Sequence, residues 1–183
     1  MSFAIAAIET SSIAQGVVAG DAMLKVAPVE LLSASTLSPG KYCVVVGGEV
    51  AAVRAAIARG IEIAAETLLD SLFIPQLDPQ VLPALRGTAA ARDDDALGVI
   101  ETHTAASAIV AADLAVKAAV VWLRDLRLAN GLGGKGVVML SGALADVDAA
   151  VAAGRAEAMK RGLLARAVVI PRLHADFKRR VLS

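Results

Sequence analysis

The chain repeats itself, and this duplication constrains its fold more than any other feature of the sequence. Residues 4–31 match residues 96–123 at an offset of 92 positions, and from Gly40 onward the offset becomes 94. The match resumes between residues 74–77 and 170–173. Self-similarity over nearly the whole chain indicates two copies of one folding unit in tandem.

The two copies define the domain boundaries that we expect. They predict a first domain at residues 1–88 and a second at residues 96–183, joined by a linker at 89–95. The stretch from Arg86 to the acidic run at 93–95 is rich in turn and charged residues, which favours an exposed linker over a metal site.

Each copy has the same alternation of apolar patterns. A helix that reaches Pro28 must end there, and the Pro-Gly pair at 39–40 between two apolar runs predicts a hairpin turn. The resulting order, βαββαβ, is that of the split βαβ motif. We therefore predict an α+β protein with two tandem ferredoxin-like domains, each an antiparallel sheet with helices on one face. In the first copy the predicted strands are 4–8, 29–34, 42–46 and 71–74, and the predicted helices are 13–27 and 48–70.

The composition excludes several functional classes. The 18 basic residues balance 18 acidic ones, so the chain lacks the basic excess typical of nucleic-acid binding. The hydrophobic content of 57% argues against disorder, and charges or turn residues interrupt every apolar run before a membrane span is reached. Much of the apolar surface comes from Ala and Val, which favours close packing between subunits. These small apolar residues therefore predict an oligomer. The first ten residues resemble a strand rather than a signal peptide, so we expect the protein to be cytosolic.

Glycines at 131–136 match GxGxxG without the context that a nucleotide site requires. The apolar run at 137–140 predicts a strand after the loop, whereas a pyrophosphate needs a helix N-terminus there. Lys135 is followed by Gly136 rather than Ser or Thr, so a P-loop is also absent. We interpret this loop as a hairpin connection.

The remaining polar residues do not form a predicted active site. Cys43, the only cysteine, lies in an apolar run and is expected to be buried. His103 and His174 lack ligand partners at helical spacing, so we expect no metal. Glu9 and Glu101 end the first strand of each copy, where we expect them to bond helix-start N–H groups or to make an interface hydrogen bond rather than to act as a catalytic pair. Ser11 and Ser12 have no nearby base.

Several motifs together resemble the bacterial microcompartment shell domain. The chain has a strand ending in Ile-Glu-Thr at 8–10, a helix with Asp-Ala-x-x-Lys at 21–25 and a helix start Gly-Glu-Val at 48–50. It also has Ile-Pro-Arg-Leu-His at 170–174, close to the family's Ile-Pro-Arg-Pro-His. Because both copies are present, the chain resembles tandem-domain shell proteins. Its Thr-Leu-Ser-Pro-Gly-Lys segment at 36–41 is similar to the Thr-Ile-Cys-Pro-Gly-Lys loop of the propanediol-utilisation type, which the chain resembles most closely.

This resemblance implies a homotrimer whose six domains form a flat hexagonal tile in the shell of a bacterial microcompartment. The hairpin loops would surround a central pore for small metabolites, and the tile edges would contact other shell proteins. It implies no enzymatic activity and no nucleic-acid or membrane partner. The implied pore residues are Ser38, Pro39, Gly40, Gly131, Leu132, Gly133 and Gly134, and the implied edge residues are Lys25, Lys117, Arg172 and His174.

The sequence departs from the family pattern at three places. Where the propanediol-type protein has a pore cysteine that can hold an iron-sulfur cluster, this chain has Ser38, so we expect no cofactor. Gln76 and Asp78 replace the Arg and His of the edge motif in the first copy, and Leu173 replaces its second proline in the second copy. Two other hypotheses remain open: a trimeric regulatory protein that binds a small ligand between subunits, and a redox conduit with a metal at the pore.

Overall fold

A computed structural model describes residues 3–89, 96–129 and 131–181, without the side chains of residues 180 and 181. The predicted order βαββαβ is confirmed in both copies. The first copy contains β1 (Ala4–Thr10), α1 (Ile13–Val26), β2 (Glu30–Leu37), β3 (Lys41–Gly48), α2 (Val50–Ala64) and β4 (Leu68–Ile74). After a short helix α3 (Val81–Leu85), the second copy contains β5 (Ala96–Thr102), α4 (Ala105–Ala118), β6 (Val121–Leu128), β7 (Gly136–Gly142), α5 (Leu144–Lys160) and β8 (Leu164–Ile170). A final helix, α6, spans Ala175–Val181.

Each copy forms one four-stranded antiparallel sheet, which confirms the predicted α+β class. The strand orders are β2-β3-β1-β4 and β6-β7-β5-β8. Both sheets carry an irregularity at the same place, between Leu31 and Ser33 in β2 and between Leu123 and Asp125 in β6. The repeat therefore extends to the details of strand pairing.

The core of the first copy lies between its sheet and the helices α1 and α2. Buried residues of β1 and β3 pack against Ala19, Met23 and Val53. The two helices approach closely at Gly60, where a methyl group would lie 2.6 Å from the sulfur of Met23. Small residues on these helices thus set the separation of the packed elements.

The described residues form two compact units that differ from the two sequence copies. Residues 3–77 cluster with residues 104–107, 129 and 131–134, while most of the other described residues form the second unit. The start of α4 and the second hairpin loop therefore belong to the first compact unit. Residues 90–95, which hold most of the predicted linker, lie outside the described part of the chain.

Two predictions about secondary structure were wrong in detail. The helix expected at 48–70 ends at Ala64, because Ala65 adopts a positive φ of 47° and a 3₁₀ turn at Ala65–Thr67 leads into β4. Helices α3 and α6 were not predicted. Among the described residues, no helix combines the length and apolarity needed to cross a bilayer.

Candidate functional site

Two hairpin loops carry all the residues implied for the pore. The first loop connects β2 to β3 through Ser38, Pro39 and Gly40, and the second connects β6 to β7 through residues 131–134. Gly40 has a φ of +85° and Gly134 a φ of +88°, a region of backbone conformation that favours glycine. Apart from Pro39 and Leu132, the named residues of the two loops are serine and glycine, which have small side chains.

The structure brings the two loops together within the first compact unit. A methyl group at Gly134 would lie 2.9 Å from the carbonyl oxygen of Ser38 and 3.3 Å from Cδ of Pro39. A methyl group at Gly40 would meet nothing within 4 Å. The second loop is thus packed on the first at Gly134, whereas Gly40 lies open.

An ion pair anchors the base of the first loop. Lys41 Nζ lies 2.8 Å from Glu9 Oε1, and the Glu9 side chain is fully buried while that of Lys41 is 19% exposed. A buried carboxylate needs such a partner, because its desolvation is otherwise costly. The pair holds the first residue of β3 against the end of β1.

Glu9 also receives hydrogen bonds from the start of α4. The N–H of Ala105 donates to Glu9 Oε2 over 2.7 Å, and the N–H of Ala106 donates to the same oxygen over 3.4 Å. A carboxylate at a helix N-terminus is stabilised by the unpaired N–H groups and by the helix dipole. The predicted bonding of Glu9 to helix-start N–H groups is confirmed, but the helix is α4 and not the nearby α1, which Ser12 caps.

A second buried carboxylate, that of Asp70, bonds residues at and before the start of α4. Asp70, 3% exposed, accepts hydrogen bonds from the hydroxyls of Thr104 and Ser107 and from the N–H of Ser71. All of these residues lie in the first compact unit. Together with Glu9, Asp70 fixes the position of residues 104–107.

The corresponding pair in the second copy is more open. Lys135 Nζ lies 3.3 Å from Glu101 Oε2, and the two side chains are 49% and 37% exposed. This pair belongs to the second compact unit. Equivalent residues of the two copies therefore have different surroundings.

The single thiol is chemically protected. Cys43 is buried in β3, and burial, with a smaller contribution from the charges of Glu9 and Asp70, raises the pKa of its thiol far above the ordinary value. A thiol held protonated in this way is a poor nucleophile and a poor metal ligand. The expectation of a buried cysteine is confirmed.

The residues present do not suit an iron-sulfur cluster. Such clusters require thiolate ligands, but the first loop offers the hydroxyl of Ser38 and the one cysteine is buried in the sheet. In the described part of the chain, no group of three or more His, Cys, Asp or Glu residues is placed to hold a metal ion.

The two lysines implied for tile edges occupy the last turns of α1 and α4. Lys25 pairs with Asp21 at 2.5 Å on an exposed surface, where their side chains are 74% and 57% exposed. Lys117 pairs with Asp113 at 2.6 Å, but Asp113 is buried and also accepts the N–H of Asp78 at 2.8 Å.

The implied edge motif of the second copy follows β8. Arg172 and His174 are exposed, and Leu173 between them is buried. His174 Nδ1 accepts a hydrogen bond, 3.3 Å long, from the N–H of Asp176. Asp176 lies in the first turn of α6.

Sequence reasoning missed several residues that organise the site. Asp70, Thr104, Ser107 and Lys41 were not singled out, although the sequence repeats Gly40-Lys41 as Gly134-Lys135. That Gly-Lys pair, together with the Glu-Thr ends of β1 and β5, was the available signal, because each Glu pairs with the Lys of its own copy.

Comparisons with known proteins agree with this architecture. Residues 4–77 and 96–173 each match the BMC domain family model. The bacterial microcompartment shell protein PduT of Citrobacter freundii is 43% identical over 183 residues, the full length of both proteins. A crystal structure of a microcompartment protein from Desulfitobacterium hafniense has a TM-score of 0.88 and 45% identity, and the match covers 98% of this chain and 99% of that one. The shell protein EutM of Salmonella typhimurium is 40% identical over 84 residues, 46% of this chain and 85% of that protein.

Proposed function

The chain belongs to the family of bacterial microcompartment shell proteins, which build the protein shell of the compartment. We propose that three chains close into a ring with a central pore. Each chain would supply two BMC domains, residues 1–88 and 96–183, so that the ring resembles a hexagonal tile. Shell proteins of this family assemble with one another into such tiles. The role is structural, and the pore would control which small metabolites pass.

One observation supports the pore more than any other: the two loops, 94 residues apart in the repeat, lie against each other in one compact unit. Three-fold rotation of such a pair produces a ring of six loops, in which first and second loops alternate around one axis. The pore residues proposed are Ser38, Pro39, Gly40, Gly131, Leu132, Gly133 and Gly134.

The chemistry of these loops fits small polar or anionic metabolites. None of the seven residues carries a charge, so a solute would meet the Ser38 hydroxyl and backbone groups. Successive backbone N–H groups in turns of positive φ make concave surfaces that attract anions. We propose backbone-lined passage rather than selection by a charged ring.

The edge residues would join one tile to the next. Lys25 and Lys117 end equivalent helices, and Arg172 and His174 follow the last strand of the second copy. Since Gln76 and Asp78 stand in the first copy where Arg and His would be, the two kinds of edge would make different contacts.

Native mass and assembly test this proposal together. Light scattering should give about three times the chain mass of 18.6 kDa, and electron microscopy of the concentrated sample should show sheets or tubes. A monomer would contradict the ring. A discrete trimer that never assembles, and whose Tm rises with one metabolite, would instead support the ligand-binding hypothesis.

Two sets of variants test the residue assignments. Lys25→Ala and Lys117→Ala should leave the trimer intact and weaken sheet formation, while Lys160→Ala, at an exposed lysine on α5, serves as the control. Loss of the trimer would mean that these lysines lie on a different surface.

Ser38→Cys should place three thiols near one axis. Oxidation should therefore cross-link separate chains, whereas the wild-type thiol of Cys43 is buried and should not react. Chains that stay uncrosslinked in an intact trimer would remove Ser38 from the pore.

A further inference from the structure

The segment after the last strand of the first copy, residues 78–85, belongs to the second compact unit. The N–H of Asp78 donates to Asp113 of α4 at 2.8 Å, and the side chain of Gln80 bonds both the carbonyl of Val121 and the N–H of Leu123 in β6. Val81, in α3, is fully buried. The segment thus lies where α4 and β6 meet.

The equivalent surface of the first compact unit is an open apolar groove of about 220 Å³ between α1 and β2. Val17, Leu24 and Leu31 line it and are 50%, 38% and 46% exposed. Their counterparts at the offset of 92 residues are Ile109, Val116 and Leu123, which are 0%, 7% and 3% exposed. Large apolar side chains grouped in an open groove are typical of a contact surface.

The second repeat has its own equivalent of residues 78–85, and it follows β8. The last strands of the two copies match at an offset of 96, so His174 corresponds to Asp78 and Phe177 to Val81. Both segments contain a short helix, α3 and α6. However, Val81 is fully buried, whereas Phe177 is 58% exposed.

We propose that residues 174–179 of one chain lie in the groove between α1 and β2 of a second chain of the same protein. Phe177 enters the groove, and the N–H of His174 donates to Asp21. Within one chain, the equivalent roles belong to the buried Val81 and to the N–H of Asp78, which donates to Asp113. The contact is head-to-tail, and head-to-tail contacts form a ring when the rotation between neighbours closes, as in the proposed trimer. This inference rests on the proposed trimer and identifies the segment that holds neighbouring chains together.

Charge supports this partner. Lys178 and Arg179 outnumber the single acid Asp176 in the segment, whereas Asp21 lines the groove and the neighbours of the lining residues Leu31 and Leu24 in the sequence are Glu30 and Lys25. Opposite net charges favour the association of two surfaces. Asp21 is exposed, while its counterpart Asp113 is buried under residue 78. This difference is expected if a second chain covers Asp21 in the trimer.

Paired cysteines test the contact directly. Asp21→Cys with His174→Cys should give disulfide-linked dimers and trimers on oxidation. The matched control is Asp78→Cys with Asp113→Cys, which should close within one chain, because these residues are already within hydrogen-bond distance. Each single cysteine variant should give no interchain product.

The outcomes separate this proposal from the trimer itself. Interchain products from the first pair support it. A trimer by light scattering with no interchain product, while the control pair closes, overturns it, as does closure of the first pair within one chain. A chain that stays monomeric refutes the proposed ring and this contact with it.

Phe177→Ala provides a second measurement that does not depend on disulfide geometry. Burial of an aromatic ring predicts that its removal raises the trimer dissociation constant by on the order of 10- to 100-fold. Met159→Ala, which removes a side chain 60% exposed on α5, should leave the constant unchanged. Equal dissociation constants for the two variants would overturn the proposal.

Discussion

Alanine in place of Gly134 tests the contact between the two hairpin loops, and Gly40→Ala is its matched control. The two glycines have nearly the same φ, +88° and +85°, so alanine meets the same backbone penalty at both. Only at Gly134 does the added methyl group lie 2.9 Å from the carbonyl oxygen of Ser38. The difference between the two variants therefore isolates the packing of one loop on the other.

The magnitudes follow from these two effects. A left-handed alanine costs roughly 1–2 kcal/mol, offset by about 0.4–1 kcal/mol because the unfolded chain loses freedom. We expect Gly40→Ala to lower the free energy of unfolding by about 1 kcal/mol. Overpacking at Gly134 adds roughly 1–3 kcal/mol.

Thermal unfolding followed by circular dichroism measures this difference, at one protein concentration because subunit association raises apparent stability. A difference of about 2 kcal/mol corresponds to roughly 4–8 °C in Tm for a chain of this size. Equal Tm values for the two variants, or a lower Tm for Gly40→Ala, would show that the loops do not touch in solution.

Three other changes test the interior. Glu9→Gln should lower the free energy of unfolding by about 2–4 kcal/mol in urea, because it removes the buried negative charge that pairs with Lys41; a loss below about 1 kcal/mol would contradict a buried ion pair. Cys43 should resist a thiol reagent at pH 8 in the folded protein and react at once in denaturant, since burial raises the pKa of its thiol; rapid labelling of folded protein would refute this. Gly154→Ala should destabilise the protein by about 1–3 kcal/mol by thermal melting, because its methyl group would lie 2.7 Å from the backbone oxygen of Ala111; an unchanged Tm would mean that α4 and α5 are further apart.

The duplication made most of the fold predictable. Once two copies were aligned, Pro28 and the Pro-Gly turn at 39–40 marked the same boundaries in each, and apolar periodicity supplied the element types. The end of α2 could not be predicted, because Ala65 takes a conformation usually reserved for glycine and nothing local indicates it.

The candidate site was predictable only in part. The loop glycines are visible in the sequence, since hairpins need residues that accept positive φ. The bonds from residues 104–107 to Glu9 and Asp70 join positions far apart in the chain. No local pattern encodes such pairings, which depend on how the chain packs.

The inequality of the two hairpin loops changes how such a pore can be altered. In a ring of six identical chains, every substitution in the loop appears six times, and one added charge becomes six. In the proposed trimer, a change in the Ser-Pro-Gly loop appears three times and leaves the glycine loops untouched. Diameter and polarity at the axis could then be varied separately, with one loop type keeping the opening narrow while the other acquires new side chains.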